Sequence, residues 1–192
     1  MMEHCIEKTV NWLIEYEAIE KNDQELYEYA IYNLILTIYP TVFAIIIGVL
    51  IGSLRESLII ILSFMLIRKF SGGFHTNSAK SCMCISCVLM IVCVKAVAYL
   101  NCGTILTGFT ILSMLCLAIL SPIDSENRRL EFEEKVRNKY ATIVILVLLS
   151  VISAVLYCIR KETYVICIFI AIILAAGMQI LYILQKIKSI IT

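Results

Sequence analysis

The sequence predicts an all-α, polytopic membrane protein of six membrane segments, preceded by an amphipathic helix lying in the membrane interface. Three observations carry this prediction. Hydrophobic residues make up 61% of the chain and its mean hydropathy is +0.93, outside the range of soluble globular proteins. The apolar residues gather into runs of bilayer length separated by short polar breaks. The first thirty residues instead interleave apolar side chains with carboxylates. We therefore divide the chain into an interfacial helix, residues 1–30, and a membrane domain, residues 31–192.

Met1 to Tyr29 sets Ile6, Val10, Trp12, Leu13, Tyr16 and Ile19 among eight carboxylates, the pattern of a helix with one wet acidic face. Lys21-Asn22-Asp23 is the expected break. This face reads first as a solvated surface that orients the next span, and second as a docking surface for a basic peptide. The N-terminus lacks the basic-then-apolar order of a signal peptide.

Ile31 to Gly52 is the first span, entered through Tyr27, Tyr29, Tyr32 and Tyr39, with Pro40 as a tolerated kink. Leu58 to Ile67 is apolar for ten residues, about 15 Å of helix against a hydrocarbon core of about 30 Å. Either Gly52 to Ser57 is drawn into the membrane too, or Arg68 and Lys69 sink below the headgroups and snorkel outward, or the segment is re-entrant. Met83 to Leu100, Thr104 to Leu120, Tyr140 to Ile159 and Tyr164 to Leu184 are four further spans. Turns at Asn101-Cys102-Gly103 and Arg160 to Thr163 join them in pairs. Lys95 is the charge inside a span, close enough to its Leu100 end to anchor at the interface. Ser121 to Lys139 is a polar loop expected to hold a short helix with Glu131/Lys135 and Glu133/Arg137 pairs.

Six crossings put the N-terminus, residues 68–82, residues 121–139 and the C-terminus on one side. Most Lys and Arg fall there, against Arg55, Arg160 and Lys161 opposite, which marks that side as cytoplasmic. Sixteen basic against fifteen acidic residues leave a net charge of +1, so no global field points to nucleic acid. The nine cysteines lie mostly in apolar runs, where cysteine is a small buried hydrophobe rather than half of a disulfide. Cys82, Cys84 and Cys87 do not converge on one helix, so no metal site is expected.

The chemistry concentrates in Arg68-Lys69-Phe70-Ser71-Gly72-Gly73-Phe74-His75-Thr76-Asn77-Ser78-Ala79-Lys80-Ser81-Cys82. A thiol becomes nucleophilic when a base takes its proton or positive charge stabilises the thiolate. Asn77 or Ser78 is placed to cap the following helix, which brings Cys82 near that helix's positive end, beside Lys80. In one unbroken helix, His75 and Cys82 would be about 10 Å apart along the axis. The chain must therefore leave helical geometry between Gly72 and Asn77 for the imidazole to reach the sulfur, and exposed amides there could receive an oxyanion. Asn77, Ser78 and Asp124 are open alternatives for orienting His75. The plain alternative is a histidine near a cysteine by composition alone.

Arg68, Gly73-Phe74-His75 and Cys82 seven residues after the histidine resemble the core motif of the accessory gene regulator B (AgrB) family of membrane cysteine endopeptidases. Ser121-Pro122-Ile123-Asp124-Ser125-Glu126-Asn127-Arg128 is similar to that family's proline-containing polar loop, and the resemblance spans nearly the whole chain. It implies an enzyme of the bacterial cell membrane, without a cofactor, that processes an AgrD-like propeptide into a cyclic quorum-sensing peptide. It further implies Cys82 as nucleophile, His75 as general base and acid, and Arg68, Gly72 and Gly73 as positioning the substrate or the oxyanion loop. A homodimer is also implied. Two other classes compete: a small transporter or channel, which lacks a repeated half, and a noncatalytic scaffold, which would be indifferent to Cys82.

Overall fold

The computed structural model describes residues 2–16, 18–72, 79–123 and 131–191. Within them the chain forms seven α-helices and no strand: α1 (Met2–Glu15), α2 (Gln24–Ile51), α3 (Leu54–Ser71), α4 (Ala79–Val97), α5 (Thr104–Leu120), α6 (Phe132–Cys158) and α7 (Glu162–Ile191). A short 3-10 turn, Lys21–Asp23, precedes α2. Two compact units result, residues 1–42 and 43–192, their boundary falling inside α2.

In the first unit, α1 buries Ile6 and Val10, one turn apart, and exposes Glu7, Lys8 and Asn11. Trp12 and Tyr16, also one turn apart, stack with ring centroids 4.9 Å from each other. The predicted break at Lys21–Asp23 is present as the 3-10 turn. Helix α2 begins at Gln24 rather than at Ile31, because the polar turn ahead of the apolar run contains no breaker. Pro40 lies inside the helix without ending it.

The second unit is organised on α3 and α7. Ile60 and Ile61 share one core cluster with Ile166, Cys167 and Ile170, while Ile67 shares the other with Ile168, Ile172, Ala175 and Ala176. Rising numbers on one helix meet rising numbers on the other, so the two run in the same direction. The first cluster is closed by Ala44 and Ile47 of α2 and by Met90, Cys93, Val94 and Val97 of α4. The second is closed by Leu117 of α5 and by Leu146 and Leu149 of α6.

The α2–α3 hairpin is tight because glycine occupies both critical positions. Gly52 ends α2 at φ +77°, with the Gly52 N–H on the Val49 carbonyl and the Ser53 N–H on the Gly48 carbonyl. This double bond is a Schellman cap, which needs a left-handed residue. Behind it, Gly48 lets α3 approach so closely that an added Cβ would lie 2.9 Å from Leu54 Cα and from Ser57 Cβ. The buried Ser57 hydroxyl donates across the gap to the Ala44 carbonyl at 2.6 Å.

Helix α3 spans 18 residues, about 27 Å, well beyond the ten-residue apolar run from which it was predicted. Buried Ser57 and Ser71 extend its packed face past that run at its two ends. The short polar helix expected inside Ser121 to Lys139 is not a separate element. Nothing in Phe132–Cys158 breaks a helix, so those polar turns are the start of α6. Arg137 there reaches Glu134 at 3.9 Å, an exposed i,i+3 pair rather than the expected pair with Glu133.

Among the described residues, two helical stretches, Phe132–Cys158 and Glu162–Ile187, are long and apolar enough to cross a membrane. Helix α6 turns Thr142, Leu146, Leu149 and Ser153 inward and leaves Val144, Val147, Leu148, Val151 and Val155 exposed, so it is apolar on both faces. Shorter apolar helical stretches are Ile38–Ile51, Ile85–Val97 and Thr104–Leu120.

Glycine at position 48 sets the hairpin spacing, whereas Gly108 of α5 has open space where a Cβ would go. Gly108→Ala should therefore gain helix propensity and stabilise by up to about 1 kcal/mol. Gly48→Ala meets backbone that cannot rotate away, and the strain of about 1–3 kcal/mol outweighs the same propensity gain. Thermal unfolding in detergent should rise for the first variant and fall for the second; equal shifts would contradict the close approach.

Candidate functional site

Of the site residues named from the sequence, Arg68 and Gly72 are described, and both lie at the end of α3. Arg68 lies in its last turn, half-buried, with its guanidinium 5.7 Å from the centre of the Phe64 ring. Lys69 places its ammonium 5.6 Å from the Phe70 ring. Both cations sit where the helix dipole is negative and favours them. Phe64, Arg68, Ser71 and Gly72 line a crevice against Ala175 and Met178 of α7, too narrow to admit water.

Gly72 ends the helix at φ +73°, its N–H on the Arg68 carbonyl at 3.2 Å. A Cβ at this position would come 2.6 Å from the Ile123 carbonyl oxygen. Glycine is thus required twice, by the left-handed backbone and by the approach of a second segment. That segment is Ser121-Pro122-Ile123, the described start of the polar loop after α5. The Ile123 N–H donates to the Ser71 carbonyl at 3.1 Å and so satisfies one of the carbonyls that a helix end leaves open.

A third element completes the junction. Gln179 of α7, 1% exposed, donates from Nε2 to Ser121 Oγ at 3.0 Å and to the Ser71 carbonyl at 3.4 Å. Ser71 and Ser121 are themselves buried. A carbonyl only accepts, so the amide must present its NH2 side to Ser71. Its Oε1 is left without a partner among the described residues, at a cost of about 1–3 kcal/mol for a buried acceptor. The sequence reading did not single out Gln179. Its signal was present, however, as a lone amide in the apolar run Tyr164 to Leu184.

His75 and Gly73 lie outside the described residues, as do Asn77, Ser78 and Asp124 and the side chain of Cys82. The backbone of Cys82 is the fourth residue of α4. Helix α4 shares its core cluster with Ile60 and Ile61 through Met90 to Val97, and seven residues separate its start from the end of α3, so its chain returns along α3. Eight residues from Met90 to Cys82 span about 12 Å, and α3 covers a similar distance from Ile61 to its last turns. The first turn of α4 is therefore at the Gly72 end of α3. Among the other thiols, Cys102 sits in the turn between α4 and α5. Burial pushes its pKa up and the Glu162 carboxylate pushes it further, the reverse of what a nucleophile needs.

Comparison with known proteins agrees with the motif. The family described as accessory gene regulator B matches residues 6–183. A putative AgrB-like protein of Clostridium perfringens (strain SM101 / Type A) is 26% identical over 172 residues, covering 81% of this chain and 78% of its own. Putative AgrB-like protein 2 of Clostridium perfringens (strain 13 / Type A) is 24% identical over 152 residues, covering 70% and 68%. No solved structure matches the chain. With the match running through the α3 end, the Ser121 segment and Gln179 alike, the chain belongs to the accessory gene regulator B (AgrB) family.

Proposed function

We propose that this protein is a membrane-embedded cysteine endopeptidase that removes the C-terminal tail of a short AgrD-type propeptide and promotes closure of a thiolactone ring. Membership of the family supports involvement in processing an agr quorum-sensing peptide, with an AgrD-type propeptide as partner. The observation that carries the finer reading is the spacing of Arg68, Gly72-Gly73, His75 and Cys82 within a chain matched over residues 6–183.

His75 takes the proton of Cys82, and the thiolate attacks the carbonyl at the precursor's tail junction. The tail amine leaves after protonation by the imidazolium, and the precursor remains as a thioester on Cys82. A thiol within the precursor then displaces Cys82. One thioester replaces another, so acyl activation is preserved and no ATP is consumed. Hydrolysis would discard that activation, and a site sunk at the bilayer interface limits it by excluding water. Arg68 and Gly73 position the substrate or the oxyanion loop. Gly72 acts earlier in the chain of causes, by fixing where the His75 segment begins.

In this reading the helices form six membrane segments in a bacterial cell membrane, with the site on the cytoplasmic side, and the enzyme acts as a homodimer. The two long apolar helices and the outward apolar face of α6 support a membrane location.

Coexpression with a tagged AgrD-type precursor tests the chemistry. Tail release should fall at least about a hundredfold for Cys82→Ser and His75→Ala, the scale of losing a nucleophile or its base, and persist for Cys84→Ser and Cys87→Ser. Full release by Cys82→Ser would end the protease assignment.

Cys102 supplies a pH test. Its raised pKa leaves little thiolate at neutral pH, so iodoacetamide should label it more slowly than a free thiol, and the gap should close as pH climbs through the raised value. Glu162→Gln removes one of the two causes and should speed neutral-pH labelling. Labelling at the free-thiol rate would contradict the partial burial of Cys102 and its pairing with the Glu162 carboxylate.

A further inference from the structure

We infer that Gln179 is a positioning residue for the His75–Cys82 pair, an inference that rests on the proposed function. Proton transfer between these residues depends on where the intervening chain starts and ends. Its end, α4, is fixed by the core cluster shared with α3. Its start is the Ser71–Gly72 step, four residues before His75, and the side-chain amide of Gln179 holds that step.

One amide bridges two backbone segments that are far apart in sequence. It donates to the Ser71 carbonyl and to the Ser121 hydroxyl, while the Ile123 N–H closes the same carbonyl from the other side. Gly72 lacks a Cβ where Ile123 lies against it. The beginning of the His75 segment is thus clasped between α7 and the Ser121–Ile123 segment. A change of angle at Ser71 alters the direction in which the chain leaves Gly72.

Two features argue that position, rather than cohesion, is what the amide provides. Gln179 is buried on an apolar helix beside Ala175 and Ala176, where a methionine of nearly equal volume would bring no unmet acceptor of its own, and the donor it would withdraw from Ser121 is offset by the loss of the open Oε1. Its Oε1 has no partner among the described residues, so half of the amide contributes nothing to stability.

The test uses the full chain in lipid nanodiscs, with iodoacetamide as probe and peptide-resolved mass spectrometry to follow Cys82 from pH 6 to pH 10. His75→Ala should slow neutral-pH alkylation of Cys82 by about tenfold or more, because an unassisted thiol is mostly protonated there. Gln179→Met should slow it several-fold in the same direction, with the unfolding temperature little changed, because removing the open Oε1 offsets the donor lost by Ser121. All rates should converge near pH 10, where the thiolate forms without help. Ser121→Ala, which removes one partner and leaves α7 untouched, should give a smaller reduction. Wild-type rates in folded Gln179→Met or Ser121→Ala, alongside a slow His75→Ala, would overturn the inference and leave the proposed function standing. If His75→Ala itself matched wild type, the pairing of His75 with Cys82 would fail and this inference with it.

Discussion

The carbonyl of Ser71 is the point on which the architecture turns. It is the last carbonyl of α3, and in an apolar setting such a group must find donors or carry a penalty of several kcal/mol. It finds them in the Ile123 N–H and the Gln179 amide, which come from the segment after α5 and from α7. Three parts of the chain separated by many tens of residues are thereby held at one end of the bundle. Both polar connections leave from this junction: the one carrying His75 after Gly72, and the one carrying Asp124 after Ile123.

Parallel packing of α3 and α7 is what makes the junction possible. Because the helices share direction, the cluster that holds Ile60 with Cys167 and the cluster that holds Ile67 with Ile172 lead on to the hydrogen bond of Ser71 with Gln179. The apolar core thus sets the register of the polar contact that follows it. Glycine acts at both ends of α3: Gly48 and Gly52 draw α2 against its beginning, and Gly72 admits Ile123 at its end. A helix fastened at both ends is a suitable frame for a loop whose path must be reproducible.

Much of this was legible in the sequence because it rests on short-range signals. Apolar runs and breakers give the helical class, the turn at Lys21–Asp23 and the two short connections, expected at residues 101–103 and 160–163 and found at 98–103 and 159–161. Helix lengths were legible only where a breaker marks them. Helix α6 reaches back to Phe132 and α2 to Gln24 because nothing stops them, even though hydropathy drops at both places. The motif from Arg68 to Cys82 could be read as chemistry. The Gly72 contact with Ile123 and the Gln179 bridge could not, since they join positions about 50 and 110 residues apart and local pattern carries no such pairing.

The placement of polar groups separates two kinds of requirement in this fold. Ser57 in the α2–α3 hairpin spends its hydroxyl on the Ala44 carbonyl, a closed pair that adds cohesion between two helices. Gln179 is different, because it satisfies two partners and leaves its own acceptor open. Buried polar groups that repay their desolvation incompletely are weak sources of stability, and their use is geometric: they select one arrangement of the segments they join. In a chain of mostly non-directional apolar contacts, such an amide supplies direction. It does so beside Gly72, at the step where the chain leaves the helix toward His75.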